Sequence, residues 1–460
     1  MDVPGPDPGI RSAAVSMIDR RDYRSAEILL RDLLREFPDD PALACLMAEC
    51  YFGSKDLERA EFWFRKTVRL LPSDRECGLK YNRFRIENLN KVPDDRPRFL
   101  VGPMTGPAYH FSKYADCIYF GGADIPDFRD LYIMAPGSPD IRSILESCPG
   151  GFRPDNIICI YPEKYPPPIN IDRSGIETIG IYSDITEHPE AAALTIPLFD
   201  TCLTRGHLRM PEVLLGLGAR KSGIAYFADI DIGKKGPAPR DIDILYLAPF
   251  SHPLYDKNRL ELLKIISPLA DEYRLQVADT DRIDYKRLID RARLTLFSRP
   301  VSALSEEVID VPILESITRD SLCFVDEGID VLRYRFRDKT DVIFYNKDNL
   351  LSLIAGYLRN EGERQRIAES GRIRALREFA PHANVEKISN LIRSKTGFRI
   401  SPERRKISRA GLYLGRAKLL FITESGEDWD SILNLYEQAY EEDPSLHAHI
   451  ENDLGVISTY

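Results

Sequence analysis

Residues 305–328 read SEEVIDVPILESITRDSLCFVDEG: an acidic loop, a Pro-led segment 312–315 standing immediately before a helix, and an apolar strand at 322–325. Strand, helix and a long Arg/Glu-rich helix follow at 341–346, 349–358 and 361–379. The helical period is clearest over 350–379. A strand that is apolar throughout, set between amphipathic helices, is covered on both faces, which is the habit of parallel sheets. The pattern predicts an α/β fold.

The same rhythm runs upstream. Short apolar runs at 98–103, 117–122, 131–136, 156–161 and 177–184, then at 243–249, 273–279 and 293–298, alternate with amphipathic stretches. Between the two groups, GKKGPAPR at 233–240 is rich in Gly, Pro and charge and reads as a linker. Two α/β lobes so joined form a cleft, and open α/β sheets bind ligands at the C-terminal ends of their strands.

The ends of the chain have a different period. Ala14 falls on Ala48, Met17 on Tyr51, Ala26 on Ala60, Leu30 on Phe64 and Pro38 on Pro72, a repeat of 34 residues. Each unit reads as two amphipathic helices, first at 12–20 and 24–36. Small Ala residues let the helices approach closely, and Pro ends the second. This register resembles the tetratricopeptide repeat, with 78–88 as a closing helix. A related pattern returns near the C-terminus, where Tyr436, Ala439 and Pro444 keep the same spacing. Helices are expected there at 412–422 and 428–443. The expected domains are helical repeats at 1–90, a first α/β lobe at 97–228, a second α/β lobe at 240–395 and a second helical segment at 400–460.

Composition excludes several functions. A chain of 460 residues has room for about three domains. A net charge of −9 speaks against non-specific grip on nucleic acid or anionic membrane, though not against a local basic pocket for a small phosphate. The eight cysteines include no C-x-x-C pair and no zinc spacing, and read as small buried thiols of a reducing compartment. No run of 18 apolar residues exists to span a membrane, and MDVPGPDPGI lacks a signal peptide's apolar core. A cytoplasmic location is expected.

Glu307 and Glu315 are separated by seven residues, in a loop–helix–strand context. Here the sequence resembles the C-terminal lobe of GT-B nucleotide-sugar glycosyltransferases with the E-x7-E motif, over about 240–395. The resemblance implies two Rossmann-like lobes, Glu315 on the nucleotide ribose and Glu307 near the reacting carbon of the sugar. A carboxylate accepts from a ribose diol, and a helix start favours its charge. A surface pair of acids is the plain alternative. The family's Gly residues before Pro312 and after the helix are replaced by Val308-Ile-Asp310-Val311 and Arg319-Asp320.

A diphosphate leaving group needs cations or amide N–H groups. Ser251, His252, Lys257 and Arg259 follow the strand at 243–249, and Arg299 follows that at 293–298; solvated helix-start charges are the alternative for Lys257 and Arg259. In the first lobe, Gly102, Thr105, Gly106 and His110 form a candidate acceptor-side loop. Asp184 and His188 are candidates to orient or deprotonate an acceptor hydroxyl, with helix capping as the alternative for Asp184. Asp229 and Asp231 suit a divalent metal as in a GT-A enzyme. They lie at the linker, and Asp241 and Asp243 repeat the same pattern, so no metal and no cofactor are expected. The resemblance implies a retaining glycosyltransferase using a nucleotide-sugar donor and a protein or glycan acceptor, the repeats offering a surface to a protein partner. The competing function is a non-catalytic scaffold on a degenerate GT-B body.

Overall fold

A computed structural model describes residues 8–71, 75–103, 106–121, 131–135, 139–183, 185, 189–204, 210–225, 240–248, 256–280, 284–298, 311–394, 399–400, 410, 413–415, 417, 429–447 and 450. Two compact units emerge. The first comprises residues 1–203, 214–222 and 385–460, and the second 204–213 and 223–384. Residues 385–395, expected with the second α/β lobe, therefore go with the first unit, as does the C-terminal helical segment.

The first unit opens with five helices: α1 (Pro8–Asp19), α2 (Tyr23–Glu36), α3 (Pro41–Gly53), α4 (Leu57–Leu70) and α5 (Arg75–Glu87). Ala14, Ala26, Ala48 and Ala60 are all fully buried where paired helices meet, and Leu30 and Phe64 fill the same place in successive units. Even the turn repeats at 34 residues. Arg21 and Lys55 both adopt the left-handed region, at φ 62° and 66°. The next residues, Asp22 and Asp56, then cap α2 and α4 through the amides of Ser25 and Arg59. Helix α5 closes the array, with Tyr81 and Phe84 against Phe64 at ring separations of 5.8 and 5.2 Å.

The strands β1 (Arg98–Gly102), β2 (Asp116–Gly121), β3 (Tyr132–Met134), β4 (Asn156–Ile160), β5 (Glu177–Tyr182), β6 (Thr201–Thr204) and β7 (Lys221–Ile224) follow, with helices α6 (Ile141–Glu146), α7 (Pro189–Thr195) and α8 (Met210–Gly216) between them. Their spatial order is 7-6-5-4-1-2-3. Strands β1 to β5 pair in parallel, and β13 (Arg399–Ile400) closes the β7 edge antiparallel. Reversal of order between β1 and β4 is the mark of a doubly wound sheet.

Seating the repeats on this sheet is one guanidinium. Arg85 of α5, 1% exposed, reaches Asp116 at the start of β2 from Nε (2.7 Å) and Nη2 (3.1 Å), Glu61 of α4 from Nη1 (2.7 Å) and the Pro93 carbonyl from Nη2 (2.8 Å). Beside it, Asn82 exchanges two hydrogen bonds with the backbone of Cys117.

The second unit is built on β8 (Ile242–Ala248), β9 (Leu275–Asp279), β10 (Ala292–Phe297), β11 (Leu322–Asp326) and β12 (Ile343–Tyr345), all parallel, with α9 (Asp256–Ile266), α10 (Tyr285–Arg291), α11 (Val311–Thr318), α12 (Asp330–Arg335), α13 (Leu350–Arg359) and α14 (Glu361–Phe379). Counted from β8, the order is 2-1-3-4-5, again doubly wound. Alternate residues of each strand feed opposite cores. Leu245 and Leu247 pack with α11 and α12, while Ile244 and Tyr246 pack with α9 and α13. Helix α14 serves both, giving Ile367 to one core and Phe379 to the other. Gly371 permits its crossing, since a Cβ there would lie 2.1 Å from the Asp341 carbonyl oxygen.

Helix α15 (Pro381–Ser394) from Val385 on, and α16 (Trp429–Glu442), belong to the first unit. Tyr436 and Ala439 are buried as the repeat spacing predicts, and their cluster includes Ile169 of the first lobe. The helical residues 413–415 expected before α16 touch that lobe too, Gly415 lying against Leu194.

Removing Arg85 takes its shared guanidinium from two buried carboxylates, Glu61 and Asp116. Arg85→Ala is expected to cost about 3–5 kcal/mol in urea unfolding of the full chain. A loss below about 1 kcal/mol would show that the seam does not hold the repeats in place.

Candidate functional site

Helices in such sheets run back against the preceding strand, so they begin at the edge where strands end. In the second unit the switch point lies between β8 and β10, and the first turns of α10 and α11 return to that edge. Ser298, just past β10, meets the Tyr246 hydroxyl at 3.0 Å, and the Tyr345 hydroxyl donates to the Phe297 carbonyl at 2.8 Å. Burial pushes the Tyr246 phenol up to about 12, with Ser298 and Arg259 pulling the other way. It stays protonated at neutral pH.

Glu315 is the buried acid of this region, 1% exposed. Its Oε2 accepts from the Tyr285 hydroxyl at 2.6 Å, and its Oε1 lies 3.2 Å from the Lys286 ammonium. Both partners belong to the first turn of α10, so the carboxylate ties α10 to α11. The helix begins earlier than expected: Pro312 is already inside α11, which starts at Val311. Proline is at home in a first turn, where its missing N–H has no partner to lose. Glu315 thus sits in the second turn, beyond the strongest reach of the helix dipole. Tyr285 and Lys286 escape a reading of the sequence because no motif marks them. Their signal is topological, a helix start after β9 at the same edge as α11.

The remaining donor-side candidates divide. Arg259, on α9, is 9% exposed and coupled to Tyr246, so it is a buried charge and not a solvated one. Lys257 lies in the first turn of α9. Ser251, His252, Arg299 and Glu307 fall outside the described residues.

On the first lobe, Asp184, His188 and Thr105 also fall outside the described residues, and Gly106 opens a 3-10 helix at Gly106–Lys113. The structure gives Gly102 a packing role: a Cβ there would lie 2.5 Å from the Phe120 carbonyl oxygen. His110 is 3% exposed, its Nδ1 3.2 Å from the Lys113 ammonium, so as placed it is a core residue rather than part of an open acceptor loop. A carboxylate not singled out in the sequence stands at the end of the β4–β5 pair. Glu163, fully buried, accepts from both the amide and the hydroxyl of Ser183 at 2.7 Å.

Asp229 and Asp231 lie outside the described residues. Asp241 and Asp243, the other pair of that spacing, are held in ion pairs with Arg291 and Arg293 at 2.6 and 2.9 Å. All eight cysteines are free, and six are buried. Among the described residues no helix is long and apolar enough to cross a membrane.

No curated protein matches the sequence. Residues 263–390 match the family model described as glycosyl transferase-like, and 17–77 match a tetratricopeptide repeat model. Similar solved structures include HepE from Anabaena in complex with UDP and glucose (10% identity, 65% of this chain and 100% of that one, TM-score 0.41). A mutant O-GlcNAc transferase from Thermobaculum terrenum is another (12%, 84% and 89%, 0.39), as is a glycosyltransferase from Rickettsia africae (11%, 66% and 99%, 0.43). None of these scores reaches 0.5, and the fold rests on the strand orders above.

Tyr285→Phe is expected to cost about 1–3 kcal/mol in urea unfolding, because it removes a donor from a buried carboxylate. An unchanged midpoint would mean that Tyr285 does not hold Glu315. The chain thus carries a glycosyl transferase-like domain at 263–390 and a tetratricopeptide repeat at 17–77.

Proposed function

We propose that the chain transfers a sugar from a nucleotide-sugar donor to a hydroxyl of a protein or glycan acceptor, with retention of anomeric configuration and without a metal. The observation that carries this reading is the glycosyl transferase-like match over 263–390, within which Glu315 is clamped at the strand-end edge of a 2-1-3-4-5 sheet. The acceptor oxygen bonds to the anomeric carbon as the bond to the nucleoside diphosphate breaks, and the acceptor proton leaves with the departing charge. Catalysis of this kind rests on positioning and on stabilising the diphosphate. Lys286, with 37% of its side chain exposed, stands beside Glu315 where a diphosphate oxygen can meet it. Glu315 orients Lys286 and accepts from the ribose. The repeat match supports a protein partner, and so a protein acceptor.

A thermal-shift series against UDP, GDP, CDP and their sugars, with and without EDTA, tests this. At a hundredfold excess over Kd, a binding nucleotide stabilises by about 2.7 kcal/mol. We expect a shift with one base, unchanged by EDTA and lost in Glu315→Gln measured from its own Tm. A shift that needs metal would return the site to Asp229 and Asp231. No shift, with no sugar released or transferred, would leave a scaffold.

A further inference from the structure

We infer that the first unit holds a separate binding site for a phosphate monoester, where the repeats meet the first lobe. A cavity of about 540 Å³ lies there, bordered by α4, α5, the linker before β1, the 3-10 helix Gly106–Lys113 and α15. Arg65, Arg69, Arg96, Lys113 and Arg393 face it, against two carboxylates, Asp95 and Glu386. In a chain of net charge −9 this is a local reversal of sign.

The carboxylates do not cancel the cations. Arg65 grips both oxygens of Asp95 at 2.8 and 2.7 Å, so that pair is spent on itself. Arg69 and Arg393 are exposed, and neither has a carboxylate partner among the described residues. Arg96 borders the same cavity from the linker before β1. Its side chain is 8% exposed, stacks 4.5 Å above the Tyr81 ring and brings Nε within 3.6 Å of the buried Asp116 carboxylate, which Arg85 already holds. Its Nη2 donates to the carbonyls of Ser112 and Ala115, both at 2.8 Å, while its buried Nη1 has no hydrogen-bond partner among the described residues. Arg96 is thereby fixed beside the cavity by its carbonyl contacts, and its charge acts on an anion there through its field rather than through Nη1, which has almost no solvent contact.

The chemistry narrows the ligand. A planar guanidinium suits the oxygens of phosphate, and a dianion answers a surplus of cations better than one carboxylate does. The volume is that of a small-molecule pocket, larger than bare phosphate requires. Val68, Tyr81 and Tyr114 supply an apolar wall for the ester's carbon part. Such a ligand would join the second repeat, the linker and α15, which are far apart in sequence.

The test is calorimetric titration of the full chain with phenyl phosphate and with inorganic phosphate, in EDTA at constant ionic strength. Phenyl phosphate should bind saturably, and inorganic phosphate about tenfold more weakly. Arg69→Ala combined with Arg393→Ala removes two exposed cations and should weaken both by about tenfold or more while the protein stays folded. Arg96→Gln should do the same, but its carbonyl contacts also hold structure, so the exposed double variant decides. Glu315→Gln should keep wild-type affinity, which separates this site from the donor site. Absence of saturable binding, equal affinity for the two probes, full affinity in the folded double variant, or a loss in Glu315→Gln would each overturn the inference.

Discussion

Arg85 is the constraint on which the first unit turns. Its guanidinium joins α4 through Glu61, the linker through Pro93 and the first lobe through Asp116, all from a position with almost no solvent. Glu61 in turn takes the Tyr81 hydroxyl and Arg65 Nε, each at 2.7 Å. A buried network of this sort adds little net stability over a well-packed apolar one, because desolvation offsets the attraction. What it supplies is geometry. Each donor direction is fixed by the planar fork, so only one seating of α5 on β2 satisfies all of them. The repeats are therefore a rigid part of the first unit and not a module on a tether.

In the second unit the comparable constraint is Glu315. A carboxylate this buried needs partners, and α10 supplies a phenol and an ammonium from adjacent residues. The two helices that begin at the strand-end edge are thereby locked together. A binding surface made from helix starts is only as precise as their relative placement. In the proposed function the same acid would both set the site's shape and accept from the ribose, since each carboxylate oxygen accepts more than one hydrogen bond.

Much of this architecture was legible in the sequence, and the reasons are specific. Apolar runs such as NIICIY and LCFVDE announce central parallel strands because both faces are buried. The 34-residue register of Ala14, Ala26, Ala48 and Ala60 announces paired helices because no larger residue fits between them. By contrast β6 (TCLT) and β7 (KSGI) passed unread: they are short, half polar and carry no apolar run, yet Thr201, Thr204 and Ser222 are buried. Tertiary pairing, not local pattern, makes them strands. The candidate site was legible at Glu315 and not at Tyr285, Lys286 or Glu163, whose roles come from which helix starts and strand ends share an edge. Gly102 and His110 are both packed in the core, where glycine and histidine serve packing as readily as chemistry.

The rigid seating of the repeats bears on how an acceptor is presented. The edge where β1, β4 and β5 end and the helical repeats belong to one compact unit. Under the proposed function, a protein acceptor bound by the repeats would be held at a fixed distance from that edge, and the loss of freedom needed to bring its hydroxyl to a reacting carbon would be met on binding and not during the reaction. On a flexible linker the same repeats would raise only the local concentration of acceptor. If the chain acts as proposed, the polar seam at Arg85 makes the repeats a positioning device rather than a tethering one, which gives a physical reason for a costly buried ion network at the joint between a repeat array and an α/β lobe.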